Sequence, residues 1–471
     1  MGIDRIERQN PWWADPDAIE DDPYIEKFKK SPLKWLPAHY SDISLDEDLI
    51  YTLRGPRQVG KTTLLKNLIR RLLREEGISP RRIAYVDCER LGADTAHELV
   101  EVLEDYISWI RFIEKDRIYL FIDEATYVRD WERALKILAD SGMLRNATVI
   151  VTGSHAIDIK RGAERMPGRR GKKTGLDLLL LPMSFREYVL SLHPELKGRL
   201  PKLNDYTPKE IKEVVLEASL HSDQIFSLFE HYIRCGGFPI SAAEELEKGR
   251  VPLYVFDIYR DAIIGDLTRM GRKENLFRDL LIWIFNRREN PFDWSTASRE
   301  SGIGKHDTVR DYVEDAEYAF VWDIFYKAKG LRTPIRAIRS PRRIYFKDPF
   351  IFHALRGWSL GYGDPWSATL NYVMDPFNMG FLVENIVASH LRRVFPLTFY
   401  WRNGREIDFL AFRGGQRVLA VEVKYQGRIT LENGRHLLKQ VGSGIVLSRD
   451  TLDLKSDAFL IIPTALFLGV V

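Results

Sequence analysis

Nine consecutive residues near the start of the chain, Gly55-Pro56-Arg57-Gln58-Val59-Gly60-Lys61-Thr62-Thr63, have the types and spacing that hold a phosphate group. They match G-x-x-x-x-G-K-[ST] at every fixed position. The glycines let the backbone fold around an anion, so that its N–H groups and a helix N-terminus face it. Lys61 is then expected to reach the β- and γ-phosphates, and Thr62 to ligate Mg²⁺. Further along, IYLFIDEAT ends an apolar run on two acids. Asp123 is expected to hold the Mg²⁺ water shell, and Glu124 to polarise an attacking water. The pair predicts ATP and Mg²⁺ as cofactors, with water as the phosphoryl acceptor rather than a small molecule.

A second constellation lies near the C-terminus. Asp408 stands in EIDFLAF, and Glu422 and Lys424 stand in VEVKY, an Asp-x(13)-Glu-x-Lys arrangement on two successive strand-like segments. Paired strands would bring Asp408 and Glu422 together as ligands for Mg²⁺. Lys424, on the face of Glu422, would position or polarise a water. This order resembles the PD-(D/E)xK nuclease core. The resemblance implies that Glu384, on the preceding helix, is a further metal-ligating acid, and that Gln440 in RHLLKQ lies beside the cluster.

The strings GPRQVGKTTLL, FIDEAT and VTGS followed by PMSFREY resemble the archaeal-type ATPase branch of the AAA+/STAND superfamily, over roughly residues 40–270. That resemblance implies that Thr152 and Ser154 read the γ-phosphate. It also implies that Gly237–Pro239 is a lid element, with Pro239 packing near the nucleotide base. Such sites are completed by a neighbouring subunit, which implies a homo-oligomer. KRGAERMPGRRGKK, with seven basic residues against one acid, offers Arg165, Arg169 and Arg170 as arginine-finger candidates. A loop of that charge also suits nucleic acid, or plain solvent.

These residues need rigid elements behind them. From Leu49 the chain alternates continuously apolar strands with helical segments, which predicts an α/β core with parallel strands covered on both faces. Strands are expected at Leu49–Leu53, Arg82–Asp87, Ile118–Ile122, Thr148–Thr152 and Leu176–Leu181. Residues 1–45 read as an N-terminal strap, 46–205 as the ATPase core and 206–270 as a helical lid. Residues 271–372 have the rhythm of a winged helix, and 373–471 read as an α/β, restriction-endonuclease-like domain. LRTPIRAIRSPRRIYFK, where a wing would fall, carries six basic residues and no acid, and predicts DNA as a partner. Asp307, Asp311, Glu314 and Asp315 on the preceding helix oppose entry into a groove. AFLIIPTALFLGVV, broken by Pro463, reads as one or two buried strands and is too short to span a membrane.

Composition bounds the rest. Seventy Lys+Arg against 67 Asp+Glu leave a net charge of +3, so no global field points at nucleic acid and local patches must carry that case. Two cysteines exclude a disulfide framework and fit a cytoplasmic setting, and no signal peptide or membrane partner is expected. The combined expectation is an ATP-hydrolysing machine acting on DNA, with Mg²⁺-dependent nuclease chemistry at its C-terminal end. The alternative is a nucleotide-controlled signalling or assembly switch, whose nuclease-like end is a scaffold.

Overall fold

The computed structural model describes residues 2–153, 156–287 and 291–471. The chain forms two compact units, Met1–Leu181 and Pro182–Val471.

In the first unit, five strands, β1 (Leu49–Arg54), β2 (Ile83–Asp87), β3 (Ile118–Asp123), β4 (Ala147–Thr152) and β5 (Asp177–Leu179), form one sheet in the order β2-β3-β4-β1-β5. Every pairing is parallel. The strands are Val-, Ile- and Leu-rich, and β1, β3 and β4 are buried almost throughout, as helices on both faces require. Register aligns their carboxyl ends: Leu53 pairs with Thr152, Ile122 with Val151, and Asp87 with Asp123. Ligands bind open sheets of this kind at those ends.

β2 is an edge strand, and the N-terminal segment closes it. Asn10 accepts from the Tyr85 N–H at 2.7 Å and donates to the Tyr85 carbonyl at 2.8 Å. The indoles of Trp12 and Trp13 both donate to the Ile83 carbonyl. Side chains thus satisfy backbone groups that would otherwise offer a template for foreign strands.

The second unit opens with helices, among them Ser222–Cys235, Pro239–Lys248 and Leu253–Arg269. Three further helices follow, Glu274–Arg287, Trp294–Ser301 and His306–Tyr318, and then an antiparallel ribbon of β6 (Trp322–Tyr326) and β7 (Arg342–Phe346). Helix Pro376–Val394 leads into β8 (Leu397–Asn403), β9 (Arg405–Arg413), β10 (Gln416–Val423), β11 (Gly444–Ser448) and β12 (Phe459–Pro463). Their sheet runs β12-β11-β10-β9-β8, antiparallel from β8 to β10 and parallel from β10 to β12. The segment after β6 is tied to this sheet, because Ala328 N–H donates to the Tyr400 carbonyl at 2.8 Å.

The C-terminal tail departs from the expected strands. Only Phe459–Pro463 is extended, and Thr464–Val470 is a helix buried at every residue. Pro463 has no N–H with which to continue a ladder, and Ala465 and Leu466 are good helix formers. Among the described residues, no helix is long and apolar enough to cross a membrane.

Candidate functional site

The phosphate motif lies between β1 and the helix Lys61–Arg74, whose Leu64, Leu65, Leu68, Ile69 and Leu72 are buried. Its turn depends on two glycines. Gly60 has φ +103°, a left-handed conformation that a side chain resists, and a Cβ on Gly55 would lie 2.1 Å from the Leu180 carbonyl oxygen. Gln58 also has positive φ, at 61°. Pro56, Arg57, Val59 and Thr63 complete the turn and the first residues of the helix. Lys61 is 6% exposed, and its ammonium donates to the carbonyls of Gly55 and Pro56, each at 3.0 Å. The cation is therefore held at the mouth of the loop by two neutral acceptors, both weaker partners than a phosphate.

Asp123, 2% exposed, ends β3 facing that loop. Its carboxylate accepts from the Thr62 hydroxyl at 2.7 Å, from the Tyr85 hydroxyl at 2.9 Å and from the Thr152 hydroxyl. Parallel register places all of these groups at one end of the sheet. Glu124, the next residue, is left-handed at φ 50°, so the chain turns sharply and the second acid diverges from the first. Its N–H donates to Asp123 at 3.1 Å. The structure thus brings together Lys61, Thr62, Asp123, Glu124 and Thr152. Ser154 lies outside the described residues.

Sequence reasoning missed Tyr85, Lys66 and Asp22. Lys66, one turn beyond the phosphate motif, is buried. Its ammonium pairs with Asp22 at 3.1 Å and sits 3.5 Å from the Tyr85 ring centroid and 5.0 Å from that of Trp12. Burial pushes the Lys66 pKa down, and Asp22 opposes that shift. Burial first, and the Asp123 charge second, push the Asp87 carboxyl above its usual range. Removing the Tyr85 hydroxyl by Tyr85→Phe is expected to loosen Asp123. The Mg²⁺ concentration for half-maximal ATPase activity should then rise about 10-fold to 100-fold, as for other residues that orient a metal-binding group. An unchanged Mg²⁺ titration would remove Tyr85 from that role.

The three arginine-finger candidates are engaged within the first unit. Arg165 pairs with Glu132 at 2.6 Å, and Arg169 with Asp140 at 2.7 Å. Arg170 is a brace for the sheet: it donates to the Ile50 and Leu176 carbonyls, the Thr52 hydroxyl and Asp177. Pro239 belongs to the second unit, at the first turn of helix Pro239–Lys248. The preceding turn is clamped. Gly237 N–H donates to Asp348 at 2.7 Å, and Met183 N–H donates to the Gly237 carbonyl at 2.8 Å. Burial pushes the Asp348 carboxyl up to about 6.

In the second unit, Glu384, Asp408, Glu422 and Lys424 also converge. Antiparallel register pairs Val421 with Phe409, which sets Asp408 beside Glu422. Asp408 accepts from the Val423 N–H at 2.8 Å, and Lys424 pairs with Glu422 at 2.8 Å. His436 lies 3.5 Å from the other Glu422 oxygen, which accepts no hydrogen bond. Burial first, and the Asp408 charge second, push the Glu422 carboxyl up to about 8. The Gln440 Oε1 is likewise buried without a hydrogen-bond partner.

A residue not foreseen from the sequence enters this cluster. Arg343 of β7, 7% exposed, contacts Glu384 at 3.2 Å, Glu406, and Asp408 at 3.9 Å. Tyr345 donates to Glu384 from the same face of β7. The period-two placement of Arg343 and Tyr345 in RRIYF was the available signal. As arranged, the cluster does not fit a divalent ion. A guanidinium stands among its carboxylates, and no group of three or more His, Cys, Asp or Glu with metal-binding geometry occurs among the described residues.

Residues 47–189 match the AAA domain family. Residues 226–361 and 379–467 match two domains of unknown function, DUF8612 and DUF4143. An uncharacterized protein of Haemophilus influenzae is 25% identical over 394 residues, which cover 81% of this chain and 84% of that protein. One of Methanocaldococcus jannaschii is 24% identical over 409 residues, covering 82% and 75%. Among solved structures, a Walker-type ATPase of Pyrococcus abyssi matches with a TM-score of 0.40 and 17% identity, covering 72% of this chain and 95% of that one. The Aeropyrum pernix ORC1 protein, solved in complex with DNA, matches with a TM-score of 0.32 and 12% identity, covering 76% and 97%.

Proposed function

We propose that this chain hydrolyses ATP in its first unit and thereby changes how its second unit holds DNA. The observation that carries the ATPase reading is the Asp123 carboxylate, held by Thr62, Thr152 and Tyr85 at the mouth of the Lys61 loop with Glu124 beside it. The residues present fit Mg²⁺-ATP: a glycine turn at a helix N-terminus, a buried ammonium, and a hydroxyl paired with a buried carboxylate. Mg²⁺ held by Thr62 and Asp123 would supply positive charge against the phosphate oxygens. Lys61 exchanges two loop carbonyls for phosphate oxygens and draws their charge into the loop. Thr152 and Tyr85 keep Asp123 aimed. Glu124, half-buried and turned away from Asp123, accepts the proton of the attacking water. Thr152 lies close enough to the acid pair to sense the nucleotide, and an arginine of a neighbouring copy would complete the site in a homo-oligomer.

DNA contact is supported by the segment between β6 and β7, which follows three helices as a wing follows a winged-helix core. Not all of its charge is available. Arg343 and Lys347 are spent on acids, the latter on Asp323 at 2.6 Å, and Arg342 stacks 4.2 Å from the Trp294 ring centroid. Arg332, Arg336 and Arg339 are exposed, and Arg336 also lies 4.1 Å from the Tyr326 ring centroid, its charge paired with no acid among the described residues. Three phosphate contacts at about 0.9 each predict that the logarithm of duplex affinity falls with log salt at a slope of roughly −3. In the variant Arg332→Ala/Arg336→Ala/Arg339→Ala that slope should approach zero, as read by fluorescence anisotropy. No duplex binding even at low salt would sink the DNA reading. It would favour a nucleotide-controlled switch instead, the reading that an arginine-filled acidic cluster also suits.

A further inference from the structure

The acidic cluster of the second unit is built from four carboxylates: Glu384 on its helix, Glu406 and Asp408 on β9, and Glu422 on β10. Four carboxyl groups at one buried site repel one another when ionised, and so demand protons or a counter-charge. A divalent ion is one solution, and it requires several carboxylate oxygens to converge on a single point at about 2.0–2.6 Å. This chain uses another. Arg343 projects from β7, a strand of the ribbon rather than of the sheet that carries most of the acids. It reaches Glu384, Glu406 and Asp408 together.

The guanidinium has two further neighbours, and its buried Nε makes no hydrogen bond. Its centre lies 5.1 Å from the Tyr400 ring centroid, and it donates to the Tyr345 hydroxyl at 3.0 Å. Tyr345 in turn donates to Glu384, so two β7 side chains serve the same acid. A planar, weakly hydrated guanidinium suits such a buried, multiply bonded place better than an ammonium would. Other groups meet part of the remaining demand, while one Glu422 oxygen stays buried without a hydrogen bond. Asp408 accepts from the Val423 N–H, and Glu422 is neutralised by Lys424 with His436 beyond it.

We infer that Arg343 is the resident cation of this cluster, and that it keeps divalent metal out by occupying the point on which Glu384, Glu406 and Asp408 converge. The inference stands whether or not the chain acts on DNA, because it concerns what neutralises the cluster. The consequence is a locking role. Arg343 adds an ionic link from the ribbon to the helix Pro376–Val394 and to β9, beside the hydrogen bonds that Tyr345 and the Phe346 N–H make to Glu384 and Asn385 of that helix.

Two measurements on the full-length, nucleotide-free protein test this. The first is Mn²⁺ binding, read by electron paramagnetic resonance. The wild type should show no Mn²⁺ site that depends on Asp408. Arg343→Met, which keeps the bulk and removes the charge, should create one at least about tenfold tighter than any wild-type binding, the opposite charge no longer being present to exclude the ion. Adding Asp408→Asn to that variant should abolish it. A Mn²⁺ site in the wild type that Asp408→Asn removes would overturn the inference, as would a folded Arg343→Met protein with no new site.

The second measurement needs no arginine variant, so misfolding of Arg343→Met cannot shelter the idea. Glu384→Gln should lower the melting temperature equally in EDTA and in Mn²⁺, because it deprives Arg343 of a partner. In a cluster awaiting metal the sign reverses in EDTA, where losing one repelling carboxylate stabilises the protein. A raised melting temperature in EDTA would therefore sink the inference.

Discussion

Lys61→Ala is expected to reduce ATP turnover by at least about 100-fold, the scale on which single groups that stabilise transition-state charge are lost. The wild-type ammonium is buried and donates to the Gly55 and Pro56 carbonyls, so its removal takes a full positive charge from the phosphate turn. The loop itself should persist. Its shape depends on Gly55 approaching Leu180 and on the left-handed Gly60, neither of which the substitution touches. The measurement is steady-state phosphate release with circular dichroism as a control for folding. A folded Lys61→Ala protein with wild-type turnover would move the nucleotide site away from residues 55–63.

Glu124→Gln should separate binding from chemistry. The amide keeps the size and the left-handed turn at φ 50°, and Asp123 keeps its Thr62, Tyr85 and Thr152 partners. Nucleotide affinity should therefore stay within a few-fold of wild type. An amide cannot accept the proton of the attacking water, so hydrolysis should slow by about 100-fold to 10,000-fold, the contribution usual for a positioned general base. Fluorescent-nucleotide binding and single-turnover hydrolysis read the two effects separately. If affinity falls along with turnover, Glu124 holds the nucleotide or the fold and is not the base. Asp123→Asn should behave differently, because it alters the group that three hydroxyls converge on, and its defect should respond to Mg²⁺ concentration.

The acid pair also shows how one contiguous motif can hide two environments. Asp123 ends a strand and is held by neighbours from β2, β4 and the phosphate turn. Glu124 begins the turn that follows and is half-buried. One peptide unit in the left-handed region is enough to send adjacent carboxylates to different tasks.

The phosphate turn was legible because its chemistry is local. Seven peptide bonds fix the spacing of Gly55, Gly60, Lys61 and Thr62, and the apolar runs on either side of it state a strand and a helix. The five parallel strands were legible for a related reason: a strand covered on both faces has to be apolar at successive positions, and that pattern is written along the chain. The same holds for β9 and β10, whose short connection leaves antiparallel pairing as the simple outcome and so brings Asp408 to Glu422.

The partners of those residues were not legible. Tyr85 meets Asp123 because β2 and β3 pair in parallel with Asp87 beside Asp123, a register that nothing near Tyr85 announces. Lys66 looked like one more cation on an amphipathic helix, until the N-terminal segment placed Trp12 and Asp22 over it. The C-terminal apolar run could not declare that it becomes a helix after Pro463, since a run buried on every side loses the periodicity that separates helix from strand. Arg343 is the sharpest case. In sequence it is one of six basic residues in an acid-free stretch and reads as surface charge, whereas in the fold it is buried among acids from a helix and a neighbouring sheet. The sequence by itself determined which residues could do chemistry within one turn or one strand pair. Only the tertiary structure decided what neutralises, braces or excludes at those sites, because charges act through space at a few ångströms between segments that are far apart along the chain.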